Sequence, residues 1–189
     1  MRNPFFNVAK PKATMVNSYH KLKLPLICTS LLALTAVILT VQPANSAAKD
    51  NAMPNCALTS LEGKQTEDLH QHHGKVLYVD FWASWCGPCA QSFPFLNDLN
   101  REFSAKGLHV IGVNVDESAE DAQSFLAKHP ASFNIAADAS GQCPKNFGVK
   151  AMPSTYLIDR NGVVRYTHLG FRTGETKKLR EMVEKLLAE

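Results

Sequence analysis

The chain has 189 residues, room for one ordinary domain and a short extension, and its 45% hydrophobic and 20% charged residues are those of a globular, soluble protein. Its formal net charge of +3 is unevenly spread: the residues before 47 hold five of the 20 Lys and Arg and none of the 17 Asp and Glu, so the remainder has 15 basic and 17 acidic residues. With that remainder near −2, the basic balance belongs to the leading segment and argues for no nucleic-acid partner.

The leading segment reads as a targeting signal over residues 1–48. Arg2, Lys10, Lys12, Lys21 and Lys23 precede an apolar run from Leu24 to Val41, and the small residues of PANSAA follow, with cleavage expected before Ala47 or Lys49. The alternative is an uncleaved membrane anchor, since the run of 18 residues sits at the lower end of what spans a bilayer. Cys28 follows Pro25, Leu26 and Ile27 rather than small residues, which argues against a lipid-modified cysteine. Beyond the signal, Cys56, Cys86, Cys89 and Cys143 lie in a compartment where disulfides persist.

Residues 54–189 form one domain of alternating elements. ALTSLEGKQ predicts a small hairpin, and KVLYVDFWA a central strand buried on both faces. Leu96, Leu99 and Phe103 recur at helical spacing, with Gly107 as the stop. LHVIGVNV is a second strand; Ser118 and Asp121 resemble a capping box that opens a helix ending before Pro130, and FNIAA predicts a short strand. STYLID and VVRYTH form a hairpin around Arg160, Asn161 and Gly162. Leu179, Met182, Val183, Leu186 and Leu187 mark the buried stripe of a last helix. The order predicts an α/β fold around a mixed sheet, parallel in its first pairs and antiparallel at the late hairpin.

WCGPC stands where the central strand gives way to a helix. Free N–H groups and the positive end of the helix dipole stabilise a thiolate there, making Cys86 the nucleophile and Cys89, one turn in, the resolving thiol. Pro88 suits a first helical turn. Zinc would need a second close pair of ligands, which the chain lacks, and a structural bond across so short a loop constrains little. A reactive redox pair is the reading that remains.

YVDFWASWCGPC with MPSTYLID downstream resembles the thioredoxin superfamily, and the signal together with the extra segment from Glu117 to Val149 resembles its TlpA/ResA-like branch of extracytoplasmic thiol-disulfide oxidoreductases. The resemblance implies a thioredoxin-like three-layer sandwich with a central mixed sheet, an N-terminal β-hairpin extension and a central inserted βα segment. It implies a periplasmic enzyme without a bound cofactor or metal, soluble or anchored to the inner membrane. Such a protein would be monomeric, act on protein disulfides and take electrons from a membrane thiol transporter. Met152 and Pro153 match the family's cis-proline loop, which faces the cysteines and pairs with an extended substrate; Trp85, Gly87 and Pro88 complete that contact surface. Trp82 is expected to mix core and contact roles. Asp80 matches the buried acid of thioredoxins, placed to exchange the proton of Cys89.

The chain departs from the family in three places. Extracytoplasmic relatives often carry asparagine where Asp80 stands; thioredoxins pair the acid with a lysine where Gly112 falls here; and many TlpA/ResA-like proteins carry a glutamate where this chain has Ser92. The last difference weakens a dedicated role in cytochrome c maturation. The Gly87-Pro88 pair is that of thioredoxins, at the reducing end of the scale, and favours a reductant.

Cys56 and Cys143 are expected to form a structural disulfide, against the alternative of two separate thiols. His70, His72 and His73 are either a solvated turn or a copper-binding group, the latter underlying a second reading of the chain as a metal-handling thiol module. A related peroxidase would need threonine and arginine around its cysteine, which FWASWCGPC does not supply.

Overall fold

The computed structural model describes residues 51–189; the signal or anchor expected over residues 1–48, with Cys28, lies outside the described residues. Seven strands form one sheet: β1 Ala57–Thr59, β2 Gln65–Asp68, β3 Val76–Trp82, β4 Leu108–Asn114, β5 Asn134–Ala137, β6 Ser154–Ile158 and β7 Val164–Leu169, in the spatial order β2-β1-β5-β4-β3-β6-β7. β3 pairs parallel with β4, and β4 with β5, as strand-helix-strand crossovers require; β6 and β7 return as an antiparallel hairpin beside β3. The predicted hairpin β1–β2 joins the same sheet through Thr59 and Ala137. Among the described residues no helix is long and apolar enough to cross a membrane.

All seven residues of β3 are buried, which explains why the strand reads as an unbroken apolar run around one acid. Alternation sends Tyr78 and Trp82 into a core with α1 (Gly87–Phe103) and α4 (Thr176–Leu187). Leu77, Val79 and Phe81 enter the opposite core with α3 (Gln142–Phe147), Met53 and Cys56. Helix, sheet and helix are the three layers expected. α1 buries Phe93, Leu96, Leu99 and Phe103, then passes through a 3₁₀ turn to Gly107, whose φ of 101° is the left-handed conformation that glycine accepts. α2 (Ala119–Lys128) begins at Ser118, whose hydroxyl accepts the Asp121 N–H. In α4 the fully covered residues are Leu179, Val183 and Leu186, while Met182 and Leu187 pack at the margin.

α3 has no counterpart in the sequence reading. Six residues give too short a stripe to show a period, and the turn is held by tertiary bonds. The Asp138 carboxylate accepts the Cys143 N–H, the Asn146 amide donates to the Asn55 carbonyl at 3.0 Å, and Cys143 is bonded to Cys56 with Cα atoms 5.1 Å apart. Both cysteines are buried, and 87 positions separate them. In the chain-entropy model a loop of that length is worth about 4 kcal/mol. The Cys56→Ala, Cys143→Ala double variant should therefore unfold at lower guanidinium concentration than the parent, with about 4 kcal/mol less stability in water and a larger m as the unlinked unfolded chain exposes more surface. Equal midpoints would refute a stabilising role for the bond.

Candidate active site

The end of β3 and the start of α1 are joined by Ala83, Ser84 and Trp85, and the connection is tied to the neighbouring strand. Val115 N–H donates to the Trp82 carbonyl at 3.0 Å. The buried Asp116 carboxylate accepts the Ser84 N–H at 2.9 Å, the Ser84 hydroxyl at 3.1 Å and the Asn114 amide at 2.8 Å. Cys86 N–H closes the turn on the Ala83 carbonyl at 3.1 Å. Ser84, Asn114 and Asp116 were not singled out in the sequence; the polar NVD that ends an otherwise apolar strand was the available signal.

Cys86 thereby becomes the N-cap of α1. Its backbone is extended, with φ −90° and ψ 100°, and its sulfur accepts the Cys89 N–H at 3.2 Å. An amide directed at that sulfur favours negative charge on it, as does the helix end behind it. Gly87 and Pro88 occupy the first turn, and Cys86 and Cys89 are bonded with Cα atoms 5.3 Å apart. Cys89 is fully buried, whereas Trp85 is 71% exposed. Trp85, Cys86 and Gly87 line one wall of a groove of about 410 Å³, with Asp121, Phe125 and Lys128 of α2 on the other. Trp82 is wholly core: it packs against the rings of Phe93 and Phe125 at 5.1 and 4.8 Å, so the mixed role expected for it resolves to packing.

β6 begins with Ser154 opposite Phe81, so the preceding loop lies at the end of the sheet where β3 gives way to Cys86. The Met152–Pro153 peptide is cis, Pro153 is buried, and its carbonyl accepts the Gly170 N–H at 2.8 Å. Met152 packs against the core that holds Cys86 and Cys89. Ser92 is buried and donates its hydroxyl to the Cys89 carbonyl at 2.9 Å, a helix-internal bond in place of a carboxylate.

Asp80 sits on the face of β3 that carries Tyr78 and Trp82, within the layer that encloses Cys89. It is 1% exposed, and burial pushes its carboxyl up to about 7 against the opposing effect of the Thr155 hydroxyl, which donates to Oδ1 at 2.7 Å. Tyr78 is raised by the same burial and by the Asp80 charge. Gly112 is the residue opposite Asp80 on β4, and the space above it is taken: a Cβ there would lie 2.9 Å from Phe133 and 3.1 Å from Trp82 Nε1. No lysine fits at that position.

The three histidines do not converge. The His72 ring stacks on His109 at 4.0 Å, His73 lies against Gly162, and the His70 backbone N–H donates to the Asp68 carboxylate at 3.0 Å. Among the described residues no three His, Cys, Asp or Glu are grouped to hold a metal ion.

Residues 48–186 match the family model described as Redoxin. The chain belongs to that family. It is similar to the thiol-disulfide oxidoreductase ResA of Bacillus thuringiensis subsp. konkukian, at 34% identity over 70% of this chain and 75% of that one. It is 32% identical to ResA of Bacillus subtilis over 59% of this chain and 62% of that one. A crystal structure assigned to the thiol:disulfide interchange protein DsbE of Chlorobium tepidum is 44% identical, with a TM-score of 0.69 over 72% of this chain and 96% of that one. This Redoxin-family chain is thus a TlpA/ResA-like member of the thioredoxin superfamily, with the thioredoxin-like fold and the chemistry of an extracytoplasmic thiol-disulfide oxidoreductase.

Asp80 gives the stability of the fold a pH signature. Its folded value of about 7 stands above the ordinary 3.8, so between the two the native chain holds a proton that the unfolded chain has lost. Its contribution to stability is complete below the lower value and is lost as pH rises through the upper one. Asp80→Asn, which has no charge to bury, should gain stability relative to the parent as pH is raised from about 4 to about 8, read from urea midpoints at each pH. A difference independent of pH would mean that Asp80 is not perturbed.

Proposed function

We propose that the protein is a periplasmic reductant of protein disulfides, soluble or membrane-anchored, and recharged by a membrane thiol transporter. The observation that carries this reading is the Cys86 sulfur seated as the cap of α1, receiving the Cys89 N–H, beside an exposed Trp85. In the reduced state the Cys86 thiolate attacks one sulfur of a substrate disulfide, forming a mixed disulfide and releasing the first substrate thiolate. Cys89 gives up its proton and attacks the Cys86 sulfur. The Cys86–Cys89 bond forms, the mixed disulfide breaks, and the second substrate thiol departs with a proton.

Asp80 is the base for Cys89: a carboxyl titrating near neutrality can take the proton and return it. Trp85, Gly87, Pro88, Met152 and Pro153 form the contact surface for an extended substrate segment. The cis loop at the head of β6 supports this, because it stands at the same end of the sheet as the cysteines. The reducing direction rests on Gly87-Pro88, the pair shared with thioredoxins. The bond between Cys56 and Cys143 is structural, set in the opposite core away from this surface.

Two measurements test the proposal. Thiol-driven reduction of insulin should be abolished in Cys86→Ser, and activity retained in that variant would remove the mechanism. The potential of the Cys86–Cys89 pair should fall near that of thioredoxin, about −270 mV; a value near about −120 mV would make the protein an oxidant and reverse the direction.

A further inference from the structure

Asp80 is the only charged side chain in β3, and both of its oxygens are inside the protein. They are not equivalent. Oδ1 accepts the Thr155 hydroxyl at 2.7 Å, while Oδ2 has no hydrogen-bond partner among the described residues. The arrangement comes from register: β6 runs antiparallel to β3 with Thr155 directly opposite Asp80, so the two side chains rise from the same face as near neighbours. On the other side the directly opposite residue is Gly112, which offers no side chain, and Phe133, Trp82 and Ile135 close over it.

We infer that Thr155 is the positioning residue for the proton exchange: by donating to Oδ1 it fixes the Asp80 carboxylate and leaves Oδ2 as the oxygen that takes the Cys89 proton. The inference rests on the proposed role of Asp80 as base. It concerns how this chain places that base when the strand opposite supplies only glycine. Here a single neutral donor restrains one oxygen, and the carboxyl gains and loses its proton near neutrality with no cation beside it.

Few other titrating groups face Asp80. Tyr78 stands two residues before it on the same strand, its hydroxyl 3.5 Å from the Thr155 oxygen, and α1 contributes Cys86 and Cys89. β4 contributes none at Gly112, and α4 covers the layer with Leu179, Val183 and Leu186. One strand beyond Thr155, directly opposite it on β7, is His168, with Nε2 3.1 Å from a Glu175 carboxylate oxygen. Thr155 thus stands between Asp80 and the next ionisable residue in its row. The Thr155 hydroxyl is the one hydrogen bond that the Asp80 carboxylate accepts among the described side chains, so its removal should be felt directly in the titration of the acid.

The test is the pH dependence of the resolving step in the pre-reduced full chain, the decay of the Cys86–insulin mixed disulfide formed with excess insulin, trapped by acid and followed by thiol alkylation and mass. Cys56 and Cys143 are checked separately in the same spectra. Because the base works in its ionised form, the rate should rise with pH through the Asp80 titration. Thr155→Val keeps the shape and removes the donor. Its rising limb should move up by about one pH unit, with a rate about tenfold lower than the parent on the acid side. Thr155→Ser, which restores a hydroxyl, should bring the limb back, and Asp80→Asn should have no such limb. If valine does not fold in place of Thr155, Thr155→Ala serves the same comparison. A profile for the valine or alanine variant that coincides with the parent, while Asp80→Asn loses its limb, overturns the role of Thr155 and leaves the base in place. A limb that persists in Asp80→Asn overturns both.

Discussion

The rest of the molecule depends on one constraint, the burial of β3 on both faces. Each side chain from Val76 to Trp82 is covered, and they divide alternately between two cores on either side of the sheet. A strand enclosed in this way has little freedom to shift, since interiors are packed at crystal-like density. The connection that leaves it, pinned by Asp116 to the adjacent β4, delivers Cys86 to the start of α1 from a fixed base. The sheet thus fixes where Cys86 enters α1, and the cap geometry of CGPC turns its sulfur toward the Cys89 amide.

The same burial is what suits Asp80 to the proposed role of base. In water its carboxyl would be ionised at neutral pH with no proton to trade; inside this strand it titrates near 7. The elements around it then share out the consequences. Phe133, Trp82 and Ile135 pack so closely over Gly112 that β4 has no space for a charged partner, and β6 supplies a neutral donor from Thr155 instead. Close packing on one side of the acid and a hydroxyl on the other are two results of a single strand order, β4-β3-β6.

Much of this was legible in the sequence, and for identifiable reasons. Strand β3, helix α1 with its stripe of Leu96, Leu99 and Phe103, and the terminal helix have strong periods or long apolar runs, so local pattern and tertiary role agree. WCGPC was readable because spacing and position at a strand-helix junction already specify a reactive thiol. Thr155 was not, because its partnership with Asp80 exists only in the pairing of β6 with β3, 75 residues apart. Asp116 escaped for the same reason, being tied to Ser84 across 32 residues. Helix α3 was missed because its six residues owe their conformation to Asp138, Asn55 and Cys56 rather than to their own order.

Two disulfides in one small domain raise the question of what keeps them from exchanging, and the sheet between them is the answer. Cys86 and Cys89 belong to the core on one face, Cys56 and Cys143 to the core on the other. Loop length separates them energetically as well. In the chain-entropy model the bond across three positions is worth about 2 kcal/mol, well below what the long one is worth, so the fold loses less when the active pair is opened. Opening the bond across 87 positions would return a large loop to the unfolded ensemble, and by linkage the folded state holds that bond as firmly as the bond holds the fold. Under the proposed function, reducing equivalents that reach this protein go to the short loop at the groove, while the long one secures the helix that leads toward the cis-proline loop.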